Sequence, residues 1–509
     1  MVSAGLTLAA VAQRLQDAGL LLGVQGPQDI ALAGVSQNSL EVSPGDLFLA
    51  WKGVDYDGHD YVVPAVEGGA VAAVVEEFLP ELAASQIQVS NGRLAGALAA
   101  DAAFGSPWAD LFLAGVTGTN GKSTVAVLSR HLLGMKGSAR AAGTLGLMDE
   151  TGEVRSGTEG LTTPGPVQIA QWLREMVDGG GSHFALEASS HALAQYRLDG
   201  VRFDAAVFTN LSRDHLDYHA DLVEYRLAKG RLLKLLKSAG WAVVNKDEEA
   251  WRVLPTPSDR TVLFGLEDGP GNFAEWASHH GPQLLASNLE LLPNGSRFIL
   301  RVGQETAPVD LPLLGLFNIE NALAAAGVAW VAGMTLTEIA QGLSSAPQVP
   351  GRMQRIADDP VSVLIDFAHT PDALERVLKT LRPLIEGRLI VLFGAGGDRD
   401  KGKRPRMGDV VSRLADLSFV TSDNPRTEDP EVIIDDVVAG MGEEASYQRF
   451  VDRREAIVAA VRETRPGDLL ILAGKGHETY QVLGLEKLPF NEAAIVRELL
   501  GHPAGGVGE

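Results

Sequence analysis

Seven consecutive residues, Gly118-Thr119-Asn120-Gly121-Lys122-Ser123-Thr124, have the make-up of a phosphate cradle. Glycines let backbone N–H groups close around an anion, the lysine reaches the outer phosphates, and the Ser123 hydroxyl would face a magnesium ion. The commonest form of this loop has another glycine five residues before Gly121; Val116 stands there, so the loop is a variant. Two further segments carry polar residues directly after apolar runs. Phe184 to Leu186 leads into Glu187-Ala188-Ser189-Ser190-His191, and Ala205 to Phe208 leads into Thr209-Asn210-Leu211-Ser212-Arg213-Asp214-His215. Ligands of open α/β sheets bind beyond the carboxyl ends of strands, so Glu187 and His215 can approach the loop and ligate a hard cation. Ser190 and His191 do not suggest a hydrolase, because adjacent side chains on an extended chain point apart and no glycine elbow surrounds the serine.

Four more polar segments follow apolar runs in the last third of the chain: Asp366-Phe367-Ala368-His369, Gly396-Gly397-Asp398-Arg399, Ser422-Asp423-Asn424-Pro425-Arg426 and Gly474-Lys475-Gly476-His477-Glu478. Singly, Gly-Gly-Asp or Asn-Pro is an ordinary turn. Converging on one sheet edge, they supply two arginines suited to bidentate carboxylate binding and a carboxylate suited to an ammonium group. The ligand they imply is a zwitterion with an extra charged end.

Positioning these residues takes repeated strand-to-helix units. The run Leu111 to Val116 breaks into glycines and then into a helix whose apolar face is Val125, Leu128 and Leu132, which is a strand, phosphate loop, helix unit. Asn294-Gly295, between alternating apolar runs, predicts a β-hairpin at the antiparallel edge of a mostly parallel sheet. Strand patterns at Ser362 to Ile365, Leu389 to Phe393, Leu417 to Val420 and Leu469 to Leu472, with helical patterns between them, predict a parallel Rossmann-like sheet. Near the start, short strands and helices alternate around Gly45-Asp46-Leu47-Phe48 and from Gly68 to Glu77. Breakers at Phe104-Gly105-Ser106-Pro107 and from Ser344 to Gly351 divide the chain. The expected fold class is α/β in three domains, 1–106, 107–347 and 348–509, with a loose Gly-rich tail from Gly501 to Glu509.

Bulk properties narrow the field. A chain of 509 residues exceeds one core, and 45% apolar residues are enough for several. With 65 acidic against 43 basic residues the net charge is −22, which disfavours nucleic-acid and anionic-membrane partners; a polyanionic substrate needs a focused site. There are no cysteines, so disulfides, zinc thiolates and thiol catalysis are excluded. No early basic cluster precedes an apolar run, and no stretch of about 18 apolar residues occurs, so a cytoplasmic protein is expected.

In their order and spacing these residues resemble the Mur ligase family over nearly the whole chain. The family's Gly-Thr-Asn-Gly-Lys-Ser/Thr-Thr, Glu-x-Ser-Ser-His, Thr-Asn-Leu-Ser-x-Asp-His-Leu-Asp-Tyr-His and Gly-x-Phe-Asn-x-x-Asn motifs are all present. Asp398-Arg399-Asp400-Lys401-Gly402-Lys403-Arg404, Asp423-Asn424-Pro425-Arg426 and Gly474 to Glu478 resemble the members that add a diamino acid. The resemblance implies a small α/β domain for a uridine nucleotide-sugar, a central P-loop ATPase domain with a mostly parallel sheet, and a C-terminal Rossmann-like domain that brings the amino acid. It implies an ATP-dependent amide ligase of peptidoglycan biosynthesis, a monomer acting on ATP, a UDP-sugar dipeptide and a diamino acid.

By motif match, Gly118, Thr119, Asn120, Gly121, Lys122, Ser123, Thr124, Asn318 and Asn321 would bind ATP, joined on closure by Arg352, Asp366 and His369. Ser39, Thr162, Thr163, Ser189, Gln195 and Arg197 would hold the nucleotide-sugar dipeptide. Where the family reads Asp-Ser-Arg, this chain has Asn38-Ser39-Leu40, so the resemblance does not carry over one uridine-side charge contact. Lys229 matches a lysine that the family carbamylates with CO2; from sequence alone it is an exposed helical lysine. With Ser123, Glu187 and His215 it would hold Mg2+, and Lys122, Glu187, His215 and Lys229 form the expected catalytic set. Arg399, Asp423, Asn424, Pro425, Arg426, Gly474 and Glu478 would select the amino acid, with Arg426 on the distal carboxylate of meso-diaminopimelate, a group that lysine and ornithine lack; L-lysine or L-ornithine is the alternative, since a relative can keep the motif and use another diamino acid. A folylpolyglutamate synthase-like ligase shares loop and fold but is not expected to carry the 423–426 and 474–478 segments, and a non-ligase P-loop switch leaves the four polar strand ends unexplained.

Overall fold

The computed structural model describes residues 5–53, 56–269, 281–358 and 361–501. The Gly-rich tail after Gly501 lies outside them. Three mixed sheets organise the chain into the three-domain α/β architecture expected from its motifs.

The first sheet has the order Leu21–Gln25, Ser85–Val89, Ala72–Val75, Asp46–Leu49, Gly34–Ser36. Its pairs are parallel except at the Leu21–Gln25 edge. Alternation along the strands feeds two cores. Leu47 and Leu49 face helices Leu8–Asp17 and Gly92–Ala103, while Phe48 and Ala50 pack with Val62 and Ala65 on the other side. Val167 and Ala170, from helix Pro166–Asp178, reach the first of these cores.

The central sheet has the order Glu305–Leu311, Gly295–Val302, Gln283–Leu292, Thr261–Leu266, Leu236–Asn245, Phe203–Phe208, Phe112–Thr117, His183–Glu187, Ala139–Gly143, Gly146–Met148. From Ala139–Gly143 through to Gln283–Leu292 the pairs are parallel. Strands Gln283–Leu292 and Gly295–Val302 are sheet neighbours joined by two residues, a link that permits only an antiparallel hairpin. In helix Lys122–Gly134, Val125, Leu128 and Leu132 are fully buried, as the periodicity predicts. Phe112–Thr117 lies between Phe203–Phe208 and His183–Glu187, with Val116 opposite Glu187 and Thr117 opposite Phe208. Three neighbouring strands therefore end together at the phosphate loop, at Glu187 and at Thr209.

The third sheet runs Gln354–Ala357, Ser362–Asp366, Leu469–Ala473, Leu389–Phe393, Leu417–Thr421, Tyr447–Phe450, with an antiparallel first pair and parallel pairs thereafter. The four predicted strands are its interior, and the sequence patterns do not reveal the two edge strands. A separate hairpin pairs Tyr480–Leu483 with Glu486–Pro489. The chain divides into two compact units, residues 1–287 with 299–309 and 320–343, and residues 288–298, 310–319 and 344–509.

Candidate active site

In the first unit the phosphate loop is shaped by two glycines that nothing larger can replace. Gly118 and Gly121 have φ of 148° and 86°, and a Cβ would collide with Thr209 Oγ1 at the first and Asn321 Oδ1 at the second. The next strand end fixes the loop. Thr119 N donates to Asn210 O at 2.8 Å, Asn120 N to Asn210 Oδ1 at 2.9 Å, and Ser212 N to Thr119 Oγ1 at 2.9 Å. Lys122 Nζ donates to the carbonyls of Gly118 (3.0 Å) and Thr119 (2.9 Å). Ser123 and Thr124 are buried in the first turn of the following helix.

Lys229 is not the exposed residue its sequence suggests. It is 1% exposed, because the end of helix Leu222–Gly230 turns beneath the loop and Nζ donates to Gly118 O at 2.8 Å. Two ammonium groups thus converge on one carbonyl oxygen. The Lys229 nitrogen also sits 4.3 Å from the centre of the Tyr225 ring. Burial first, and Lys122 next, push the Lys229 pKa well below its ordinary value.

Glu187, 1% exposed, accepts the Thr144 N–H at 2.9 Å and faces the Thr144 hydroxyl at 3.2 Å. A Cβ at Gly143 would overlap its carboxylate. Thr144 Oγ1 lies 3.1 Å from Thr162 Oγ1. Thr163 Oγ1 donates to Glu187 O at 2.7 Å and accepts from Ser189 N at 3.0 Å. Ser189 Oγ caps helix Ser190–Ala194 by accepting from Ala192 N, so Ser190 and His191 stand on a helix rather than on an extended chain. Arg197 donates from Nη1 to Thr163 O at 2.8 Å and from Nη2 to Gln195 Oε1 at 2.6 Å. The structure therefore links Thr162, Thr163, Ser189, Gln195 and Arg197. Ser39 stands apart, on the short turn Ser39–Glu41, where Asn38 Oδ1 caps Leu40 N at 3.1 Å and Leu40 is 93% exposed. A cavity of about 170 Å3 is lined by Gln37, Trp51, Arg93, Leu161, Gln195 and Arg197 among others.

His215 takes a left-handed conformation, φ 53°, inside a group of rings. His191 lies 4.8 Å from His215 and 4.2 Å from Tyr218, and His219 lies 5.2 Å from Tyr225, centroid to centroid. Burial, then the neighbouring His215 and His219, hold the His191 pKa down at about 4, so it is neutral at pH 7. Burial also lowers His215, against the pull of Asp214, whose carboxylate lies 3.6 Å from Nε2. Burial raises Tyr225 to about 12. Among the described residues no three His, Asp or Glu side chains gather as a metal site.

In the second unit the polar strand ends are wired together. Asn424 Nδ2 donates to Glu478 Oε2 at 2.9 Å, and Lys475, 0% exposed, places Nζ 3.1 Å from both Asn424 Oδ1 and Glu478 Oε2. Asp423 is buried, and a Cβ at Gly474 would meet its Oδ2 at 2.6 Å. Arg426, at φ 53°, donates from Nη1 to Gly397 O at 2.6 Å. Its backbone pairs with the Tyr480–Pro489 hairpin: Arg426 N donates to Val482 O and Gly484 N donates to Arg426 O. Gln481 Nε2 donates to Asp423 O and Val482 N to Asn424 Oδ1. Pro425 is buried within this frame, and Arg399 is exposed, with Nη1 on Asp398 O. Asp366 accepts from Met353 N (2.7 Å) and Ala368 N (2.8 Å), and burial raises its pKa. The Arg352 guanidinium lies 4.8 Å from the Phe367 ring centre, and His369 Nδ1 lies 2.8 Å from Phe367 O. Asn318 Nδ2 donates to Leu314 O.

Models of three domains match the chain: Mur ligase family, catalytic domain, over residues 31–103; Mur ligase middle domain over 116–329; and Mur ligase, glutamate ligase domain, over 351–476. The chain belongs to the Mur ligase family. This Mur ligase is 42% identical to the UDP-N-acetylmuramoyl-L-alanyl-D-glutamate–2,6-diaminopimelate ligase of Gloeobacter violaceus over 479 residues, 93% of this chain and 94% of that one. To the protein of the same name from Nostoc it is 40% identical over 483 residues, 93% and 95% of the two chains. A solved structure of a ligase with that name superposes with a TM-score of 0.67 at 32% identity, covering 94% of this Mur ligase and 97% of the other chain. It is thus an ATP-dependent amide ligase. Trp51, Arg93, Thr144 and Gln481 touch the sites described above and carry no local signature, since each meets site residues distant in sequence. Among the described residues no helix is long and apolar enough to cross a membrane.

Proposed function

We propose that this Mur ligase joins meso-2,6-diaminopimelate to the D-glutamate of UDP-N-acetylmuramoyl-L-alanyl-D-glutamate, as a cytoplasmic monomer. The observation that carries the choice of amino acid is the clamp around Arg426, whose guanidinium is anchored on Gly397 O while Asn424 and Lys475 hold Glu478. Arg426 pairs with the distal carboxylate of the diamino acid, and Asp423 and Glu478 take up its ammonium, with Asn424, Pro425, Gly474 and Arg399 completing the site.

A carboxylate resists amine attack until it has a leaving group. The γ-carboxylate oxygen of D-glutamate attacks the γ-phosphorus of ATP, ADP departs, and an acyl phosphate forms. The free amine of diaminopimelate then adds to the acyl carbon, the tetrahedral adduct expels phosphate, and the nitrogen loses a proton. Gly118 to Thr124 cradle the phosphates, and Lys122 exchanges its Gly118 and Thr119 carbonyls for phosphate oxygens. Mg2+, when bound, supplies neutralisation of phosphate charge, and Ser123, Glu187, His215 and Lys229 as its carbamate would hold it. The oxygen-rich donor set suits a hard cation, and the glycine-walled space at Gly143 admits the Glu187 carboxylate. The lowered pKa of Lys229 favours its neutral amine, the form that adds CO2 with loss of a proton. Asn321, beside Gly121, and Asn318 are assigned to the adenine side, and Arg352, Asp366 and His369 to ATP, by the resemblance. The nucleotide-sugar dipeptide is assigned to Ser39, Thr162, Thr163, Ser189, Gln195 and Arg197, with domains at 1–106, 107–347 and 348–509.

The test is ADP release with Mg-ATP and UDP-N-acetylmuramoyl-L-Ala-D-Glu, offering meso-diaminopimelate, L-lysine and L-ornithine separately, with mass analysis of the product. Turnover with diaminopimelate alone is expected. Turnover with lysine or ornithine instead keeps the ligase and removes the Arg426 rule.

A further inference from the structure

Two guanidinium groups share the wall of the cavity that also holds Trp51 and Gln195. One, Arg197, has a role by family resemblance; Arg93 has none. Arg93 sits in the first turn of helix Gly92–Ala103, and Nη2 donates to the Lys52 carbonyl at 3.3 Å. A guanidinium has five N–H donors, so most of its capacity is left for a ligand. Arg197 spends its two terminal nitrogens on the Thr163 carbonyl and the Gln195 amide oxygen.

Neither arginine bonds a carboxylate among the described residues, in a chain with 65 acidic against 43 basic side chains. Burial, and then the Arg93 charge, lower the Arg197 pKa, so the Arg93 charge is felt at Arg197. An oxyanion in the cavity would face both guanidinium groups.

The wall beside Arg93 is closely packed. A Cβ at Gly92 or at Gly96 would come within 2.7 Å of Trp51, at its Cβ or its ring, so the indole lies directly on the start of the helix. Gln37, also on the cavity wall, touches Gly165, where a Cβ would strike its amide. From Arg197 the bonds continue through Thr163 to the Glu187 carbonyl. The cavity is therefore bonded through to the strand end beside the phosphate loop.

We propose that Arg93 is a binding residue for the nucleotide-sugar peptide, acting with Arg197 on one oxyanion that the substrate carries into this cavity, a diphosphate or a peptide carboxylate. The inference rests on the proposed ligase reaction and adds a residue to its substrate site.

The experiment compares the full-length enzyme with Arg93→Ala and Arg93→Lys. For Arg93→Ala the KM for UDP-N-acetylmuramoyl-L-Ala-D-Glu is expected to rise about 10- to 100-fold, the loss of a charge-assisted contact. The KM for ATP and the saturated kcat should stay within about twofold, and Arg93→Lys, which keeps charge but not the planar fork, should fall between. Titration calorimetry with UDP and with N-acetyl-L-Ala-D-Glu then locates the anion: weakened UDP places it at the diphosphate, weakened peptide at the carboxylate, and either supports the proposal. An unchanged KM for the nucleotide dipeptide in a natively folded Arg93→Ala enzyme would overturn it. An equal rise in the KM for ATP would also overturn it, by marking a structural role. Absence of turnover in the unsubstituted enzyme would instead remove the ligase reading itself.

Discussion

Arg426 and Lys229 mark the two ends of what a sequence discloses about single residues. Arg426→Ala is expected to raise the KM for diaminopimelate about 10- to 100-fold, and Arg426→Lys should not restore it, because a point charge cannot reproduce a bidentate pair. Steady-state kinetics with diaminopimelate varied checks this, and an unchanged KM would sink the pairing. Arg426 was legible because it lies six residues after a strand pattern ends at Val420, within a run of polar residues that a core does not need. Lys229 was not. Its burial follows from Gly118, which lies 111 positions away in the chain, and no local pattern encodes that. Lys229→Ala is expected to lower kcat by about 100- to 1000-fold, the scale of losing one preorganised electrostatic group. A carbonyl signal from enzyme equilibrated with 13CO2, present in the parent and absent in the variant, would tie that loss to the carbamate.

At the scale of elements, strands with continuous apolar runs could be read from sequence, and edge strands could not. Leu389–Phe393 is buried throughout, whereas Tyr447–Phe450 reads Tyr-Gln-Arg-Phe and is largely exposed, so neither run nor alternation marks it. Helix Lys403–Leu414 shows how an element can hold a site loop by charge. Arg404, fully buried, bonds both oxygens of Glu428, with Asp436 beside it, and Lys401 pairs with Glu428 at 3.0 Å. Glu428 follows Arg426 by two residues, so these bonds brace the loop bearing the specificity arginine. The bonds from Arg404, then those from Lys401, hold the Glu428 pKa at about 2. Its folded pKa is thus depressed, so its contribution to stability is complete above the unfolded value of about 4.3 and is lost as pH falls toward 2. Thermal melts should show the parent losing more Tm between about pH 5 and pH 3 than Glu428→Gln does. Parallel acid profiles would mean that the Arg404 bonds do not form.

For the whole molecule, the absence of cysteine has a direct consequence. Activity should be unaffected by N-ethylmaleimide or by reducing agents, and loss of turnover under alkylation would point to modification of an amine such as Lys122. The three-domain architecture and its parallel sheets were legible, because apolar runs and breakers alternate regularly along the chain. Which residues of separate segments share a cavity was not: Trp51 and Arg93 meet Gln195 and Arg197 through folding alone. The hairpin at 480–489 carries a lesson of the same kind for heredity. Because its backbone and Gln481 grip Asp423, Asn424 and Arg426, the segment 423–426 does not act as a cassette. Grafted into another chain without its hairpin, it would arrive without its shape. A lineage could therefore change its choice of diamino acid by altering residues 480–489 while every residue of 423–426 stayed the same.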